Sequence, residues 1–168
     1  MSKKAIIIIS VALAVVLVTC LVLLIVLLNR DEKPSGAGGV VYDPNQGDYV
    51  PPAGVGGAQS GISIPGFGTW TIPPHVTDVT TDFYNPETNA DKYYLTFEVR
   101  IPNDSEQGYE VVYKSGLVEP GKHIQKVTLS HGFEKGEYDA ILFVQPYTMD
   151  DAQAPTNNAN IAFKLIVK

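Results

Sequence analysis

The chain has 168 residues and a formal net charge of −6, and its apolar residues are distributed unevenly. From Asp31 onward it contains all 18 acidic residues but only nine of the 12 basic ones, which gives this part a net charge of −9. Nucleic acids and anionic lipid surfaces bind basic protein surfaces, so we predict that neither is a partner of this region.

Residues 5–28 form an uncharged apolar run, which predicts one N-terminal transmembrane helix. At ~1.5 Å per residue such a helix is roughly 36 Å long, enough to cross a ~30 Å hydrocarbon core. Residues 1–4 carry two lysines and are too short to fold, so we expect them in the cytoplasm and the rest outside it. A cleavable signal peptide would have a shorter apolar core. The Leu-Val-Thr-Cys run ending at Cys20 resembles a lipobox, so a surface lipoprotein is an alternative.

Residues 29–61 are rich in Gly, Pro, Ala and Ser, a composition that predicts a flexible linker between the membrane and a folded domain. As a coil this linker would span ~30 Å on average. Tyr42 and Tyr49 interrupt the composition. They indicate either a docking segment or a spacer that contains incidental aromatic residues.

Residues 62–168 are predicted to form an all-β domain of about seven strands, because apolar and polar residues alternate with period two between turn signals. The turn at residues 119–122 has Pro120 and Gly121 at its two central positions, as a type II turn requires. No run has a helical period. The predicted strands lie at residues 69–72, 76–83, 93–101, 109–114, 123–130, 138–144 and 161–167.

Seven short strands with frequent turns are typical of an Ig-like β-sandwich. Tyr138 follows Gly136 by two residues and opens a strand, as in a tyrosine corner, where the hydroxyl bonds to upstream backbone. We therefore predict structural roles for Tyr138 and Gly136, and for the turn residues Pro120 and Gly121. Ala140 occupies the position of the second cysteine of an antibody domain, so no such disulfide is expected.

A further set of residues forms a recognisable pattern: Leu117-Val118-Glu119-Pro120-Gly121-Lys122-His123-Ile124, followed by Leu129, Phe133, Gly136 and Tyr138-Asp139-Ala140. This pattern resembles the single Ig-like modules in small, uncharacterised, membrane-anchored proteins of Gram-positive, Firmicutes-type bacteria. The resemblance covers residues 65–168. It implies an Ig-like fold and an extracytoplasmic bacterial location, and it transfers no active site because its motifs are fold motifs.

No residue pattern indicates catalysis. His123 and His131 lie eight residues apart on one predicted strand, ~26 Å at ~3.3 Å per residue, so they cannot share a metal ion. No Ser lies in a nucleophile elbow. Asp150 and Asp151 lie in a polar loop whose oxygens suit Ca²⁺, although a solvated acidic loop is the alternative. We predict neither an enzyme nor a cofactor.

The candidate binding residues are the loop aromatics Trp70, Tyr84 and Tyr147, together with Asp150 and Asp151. Loops at the end of a sandwich usually carry the binding function, and Trp and Tyr are common interface anchors. For Trp70 the alternative is that it covers the bottom of the core. We predict a binding or scaffolding domain, monomeric by itself, that contacts an unidentified protein partner at the cell surface. The alternative is a membrane-tethered enzyme or inhibitor acting on cell-wall or secreted substrates.

Overall fold

The computed structural model describes residues 41–50 and 61–168. Within these ranges the helical structure is a single 3₁₀ turn at Glu87–Asn89. The described residues contain no helix long and apolar enough to cross a membrane. The predicted transmembrane helix at 5–28 and most of the predicted linker lie outside the described residues.

The described residues form eight strands, and all seven predicted strands are among them. The additional strand is the first in chain order. The strands are β1 Gln46–Asp48, β2 Trp70–Ile72, β3 Asp78–Tyr84, β4 Tyr93–Pro102, β5 Tyr109–Lys114, β6 Lys122–Thr128, β7 Gly136–Thr148 and β8 Ala159–Val167.

These strands form two sheets that pack into an all-β sandwich. The three-stranded sheet has the order β1-β6-β3, and the five-stranded sheet has the order β2-β8-β7-β4-β5. All ladders are antiparallel except that of β2 with β8, which is parallel. The inward-facing residues of both sheets contribute to one core. Its fully buried side chains include Ile72, Phe83, Leu95, Phe97, Val99, Val112, Ile124, Leu142, Val144 and Leu165.

The structure differs from the predicted linker at residues 41–50, which pack against the domain. In this segment β1 pairs with β6, and Tyr42 forms a parallel bridge with Leu117. The sequence Gln-Gly-Asp of β1 has no apolar alternation. This edge strand is held by backbone pairing with β6 and not by burial of an apolar face.

A buried polar network fixes the chain between β3 and β4. Asn85 and Asn89 are both 0% exposed. The Asn89 amide donates to the Asn85 side-chain oxygen at 2.7 Å and to the Ser63 carbonyl at 2.8 Å, and its own oxygen accepts the Ser63 N–H. The Asn85 amide donates to the Tyr93 and Val118 carbonyls. Three loop segments are therefore held together by satisfied buried amides.

Candidate binding surfaces

Trp70, which the sequence analysis placed among exposed binding residues, lies in the core. It is 6% exposed, and its ring packs edge-on against Phe67 and Phe83. Its indole Nε1–H donates to the Thr80 carbonyl at 2.7 Å, which satisfies its polar atom. The alternative interpretation, that Trp70 covers the core, is the one the structure supports, and Trp70 is not part of a binding surface.

Tyr84 ends β3, where segment 41–50 covers it. Its ring stacks on Tyr49, with 4.2 Å between the ring centroids. Tyr49 also contacts His123, whose Nδ1 lies 2.6 Å from the Asp82 carboxylate. Burial, and then the neighbouring Tyr49 and Asp82, disfavour the phenolate and raise the pKa of Tyr84. Tyr84 therefore anchors the chain's own segment.

Tyr147, Asp150 and Asp151 lie together at the end of β7. Tyr147 is half-buried and bridges to Pro155 through the backbone. The Asp150 carboxylate accepts the Thr148 hydroxyl at 2.6 Å and a backbone N–H three residues later, so it holds the turn. Asp151 is exposed. Within residues 41–50 and 61–168, no three His, Cys, Asp or Glu side chains are grouped so that they could hold a metal ion.

The predicted tyrosine corner is present. The Tyr138 hydroxyl donates to the Glu134 carbonyl at 2.9 Å, and its ring packs edge-on against Phe133. A Cβ added at Gly136 would lie 3.6 Å from the Tyr138 ring, an ordinary contact. Tyr138 therefore ties the start of β7 to the preceding loop, as the sequence predicted.

The predicted type II turn is also present. The Lys122 N–H donates to the Glu119 carbonyl, and Gly121 has a φ of 73°, the left-handed conformation that this position requires. The Glu87 carboxylate lies beside Gly121, but it is the end of a flexible side chain that can move away from an added Cβ. Gly121 is therefore required by its backbone conformation.

The outward face of the five-stranded sheet is apolar at its centre. In β7 the buried residues Ala140 and Leu142 alternate with Ile141 and Phe143, which point outward and are half-buried. The guanidinium of Arg100 on β4 lies 3.6 Å from the Phe143 ring centroid and 4.5 Å from that of Tyr109 on β5. Arginine stacked between two aromatic rings is held rigidly and is only weakly hydrated.

Five of the six charged side chains on this face form ion pairs, and the sixth is Glu137. Arg100 donates through Nε to the Glu98 carboxylate at 3.0 Å, and Lys114 lies 3.0 Å from its other oxygen. Burial by itself would raise the pKa of Glu98, but the hydrogen bonds and charges of Arg100 and Lys114 outweigh burial and hold that pKa below its usual range. Asp139 and Lys164 form a second pair at 2.7 Å.

The outward face of this sheet is therefore electrically neutral, although the region from Asp31 onward carries −9. Its outward strand positions hold three acidic and three basic residues. We call this surface the β7 face and define it by twelve of the outward residues: Glu98, Arg100, Tyr109, Lys114, Glu137, Asp139, Ile141, Phe143, Gln145, Tyr147, Ala162 and Lys164.

Of the residues in the β7 face, only Tyr147 was predicted from the sequence as a binding residue. The signal was present in the run from Ala140 to Val144, which is apolar at every position. Such a run indicates a strand with two covered faces, whereas an antiparallel sheet with one solvated face reads as clean alternation. In the structure the even-numbered residues Ala140, Leu142 and Val144 face the core, and Ile141 and Phe143 face outward.

A groove of about 490 Å³ separates residues 43–45 from β5. Tyr113 and Ser130 contribute to its lining, and the Tyr113 hydroxyl is buried with no hydrogen-bond partner among residues 41–50 and 61–168. Burial, and then the nearby Asp43, disfavour the phenolate and raise the pKa of Tyr113. Residues 43–45 of segment 41–50 form one wall of this groove.

Comparison with known proteins gave no match: no family model, no curated protein and no solved structure is significantly similar to this chain.

Proposed function

We propose that the sandwich is Ig-like. The strand order β2-β8-β7-β4-β5 supports this, since the strand that precedes β3 lies parallel to the last strand at one edge of the larger sheet. The tyrosine corner at Tyr138 is a second supporting feature. In an Ig sandwich the edge beside β6 is occupied by a strand that lies between β5 and β6 in the chain. Here β1, from the start of the described residues, occupies that edge.

We infer that the protein is a non-catalytic binding module that residues 5–28 anchor in a membrane, with its domain outside the cytoplasm, and that it works through a protein partner. The neutral, aromatic β7 face carries this inference. Interface cores are enriched in aromatic residues and Arg and depleted in other charges. Tyr109, Phe143 and Arg100 provide that composition in one cluster.

The pairing of charges explains why this face suits an interface. Burying an unpaired charge costs several kcal/mol, whereas Glu98 is paired with both Arg100 and Lys114, and Asp139 is paired with Lys164. Strands are ~4.8 Å apart and rise ~3.3 Å per residue, so four strands of about eight residues present roughly 500 Å². An interface of that size lies at the low end of the range, as for transient complexes.

Photocrosslinking in native membranes tests this proposal. A photoreactive amino acid at Ala162, an exposed position opposite Ile141 on the β7 face, should trap the partner upon irradiation. The matched control is Thr80, an exposed outward position on the three-stranded sheet. A crosslinked protein that is trapped from Ala162 and not from Thr80 supports the β7 face. Equal yields from the two positions, or a crosslinked product from Thr80 alone, would contradict the proposal that the β7 face binds the partner.

The anchor has its own test. Intact mass and N-terminal sequencing of the membrane-extracted protein should show residues 1–28 retained. A mature chain beginning at Cys20 with added lipid mass would replace the transmembrane anchor by a lipid anchor, and the binding proposal would be unaffected.

A further inference from the structure

Segment 41–50 is bound to the domain like a ligand. Its backbone forms hydrogen bonds of 2.8 Å along the chain that precedes β6: from Asp43 N–H to the Leu117 carbonyl, from Leu117 N–H to the Val41 carbonyl, and from Tyr49 N–H to the Gly121 carbonyl. Strand β1 continues this pairing against β6. The chain therefore adds a short extended strand to the free edge of a sheet, which is a common mode of peptide recognition.

Polar side chains of the segment also form specific hydrogen bonds and an ion pair with residues 116–122. Asp43 is 5% exposed, and its carboxylate accepts the Gly116 N–H at 2.9 Å. The Gln46 side-chain oxygen accepts the Glu119 N–H at 2.8 Å, and Asp48 pairs with Lys122. A buried carboxylate bonded to backbone N–H groups is a specific contact, since removal of either partner leaves a buried polar group unpaired.

Two tyrosines anchor the ends of the segment. The Tyr42 hydroxyl lies 2.7 Å from that of Tyr94, and the two rings pack edge to face. Tyr49 stacks on Tyr84. Aromatic anchors in contact with matching aromatic residues dominate the binding energy of many interfaces.

Gly116 makes the fit close. A Cβ at this position would lie 2.5 Å from the Val41 carbonyl oxygen and 2.7 Å from the Asp43 nitrogen. Both are backbone atoms of the bound segment, so only glycine permits this approach. The surface formed by Tyr84, Tyr94 and residues 116–122 is thus shaped to the segment that occupies it, and we call this surface the segment site.

We propose that the segment site binds residues 42–49 of a second copy of this chain, so that copies exchange their segments. Every contact described above joins the segment to residues distant in sequence, and a second copy supplies the same atoms. Exchange therefore conserves all of these contacts, and concentration sets the balance between the intramolecular and exchanged forms. Copies confined to one membrane would meet at high effective concentration. The segment site adjoins the β7 face, because Tyr94 lies opposite Tyr147 in the β4–β7 ladder.

Disulfide trapping between full-length chains tests the exchange. Asp48 and Lys122 are register partners in the β1–β6 ladder. We replace Cys20 by Ser, and make Asp48→Cys in one mass-labelled chain and Lys122→Cys in another. The two chains are produced together and oxidised mildly in the membrane. The matched control combines Asp48→Cys with Thr128→Cys, an exposed position farther along β6 that pairs with β3 instead.

We expect the Asp48–Lys122 mixed dimer to exceed the Asp48–Thr128 dimer by about tenfold, because only exchange holds the first pair in register. Adding Gly116→Ala to the Lys122→Cys chain should abolish the excess, because it blocks the segment site. A chain that carries both Asp48→Cys and Lys122→Cys reports on folding by closing its disulfide internally. If this internal disulfide forms and the two mixed dimers are equally scarce, the exchange proposal is overturned, and the segment serves only its own domain.

Discussion

Replacing Gly116 by Ala should release segment 41–50 while the sandwich core stays intact. The added Cβ would lie 2.5 Å from the Val41 oxygen and 2.7 Å from the Asp43 nitrogen, and no side-chain rotation relieves contacts with backbone atoms. Three hydrogen bonds would break: Asp43 to Leu117, Leu117 to Val41, and Gly116 to the Asp43 carboxylate. At about 1 kcal/mol each the loss is roughly 3 kcal/mol, and the lower entropy of the unfolded alanine chain returns about 0.4–1 kcal/mol. The net destabilisation is therefore about 2 kcal/mol.

Urea unfolding and hydrogen exchange measure this effect. With a slope of about 1–3 kcal/mol per M, the midpoint should fall by roughly 1 M, and amide protection should disappear from residues 41–50. Gly68→Ala is the matched control, because nothing lies within 4 Å of its added Cβ. It should leave the midpoint unchanged or raise it slightly. If Gly116→Ala and Gly68→Ala gave the same midpoint with segment 41–50 equally protected, the described packing of this segment would be incorrect.

Three further predictions concern the domain itself. Tyr138→Phe removes one hydrogen bond to the backbone carbonyl four residues earlier and should lower the free energy of unfolding by about 1 kcal/mol. Tyr138→Ala also loses a half-buried ring and should lower it by about 2–3 kcal/mol in urea melts. Equal costs would show that the hydroxyl alone matters. Asn89→Ala leaves the N–H and carbonyl of Ser63 unpaired and should cost about 3 kcal/mol, against less than ~0.5 kcal/mol for the exposed Asn157→Ala. The partners of Glu98 depress its pKa, so its carboxylate contributes stability above the unfolded pKa of about 4.3, and this stability is lost as the pH falls through the folded pKa. The difference in unfolding free energy between wild type and Glu98→Gln should therefore shrink from pH 6 to pH 3. A constant difference would contradict the ion-pair assignment.

The strands that the sequence predicted are those whose apolar residues alternate and point into one core. In β4 the inward residues Leu95, Phe97 and Val99 are all 0% exposed, so the period-two pattern reports burial directly. The turn at Pro120 and Gly121 was predictable for a different reason, since only a residue that tolerates positive φ fits its third position. In both cases the signal is local.

The rest of the architecture depends on partners distant in sequence. Strand β1 pairs with β6 through residues more than 70 positions apart, such as Asp48 with Lys122, and its polar composition matches a linker. Residues 69–72 were predicted as a strand, but the sequence does not show that Trp70 faces the core, because the parallel partner of β2 is β8 at the other end of the chain. Non-local pairing of short polar strands leaves no periodic signal.

The candidate surfaces were missed for a related reason. Loop aromatics such as Tyr84 were chosen by residue type, yet Tyr84 is covered by Tyr49 from the chain's own segment. The outward apolar residues of β7 were missed because one contiguous run serves two faces, and only the ladder with β4 shows Phe143 opposite Glu98 and beside Arg100. A sequence indicates which residues are apolar, but pairing decides which surface they form.

The two sheets consequently present different surfaces to a partner. In the three-stranded sheet, β1 pairs with the edge of β6 that would otherwise be free, and Tyr49 of segment 41–50 stacks on Tyr84. The five-stranded sheet has no such cover over Phe143 within the residues that the structure describes, and its charges cancel on a strongly acidic chain. Because like charges repel wherever two acidic surfaces meet, the β7 face is the part of this domain that an acidic or a basic protein can approach equally well. The segment site, in contrast, is already occupied, since Tyr84 and Tyr94 are covered by Tyr49 and Tyr42 of the chain's own segment. Because Tyr94 lies opposite Tyr147 in the β4–β7 ladder, this covered site forms one border of the β7 face, and the aromatic cluster around Phe143 lies beyond that border.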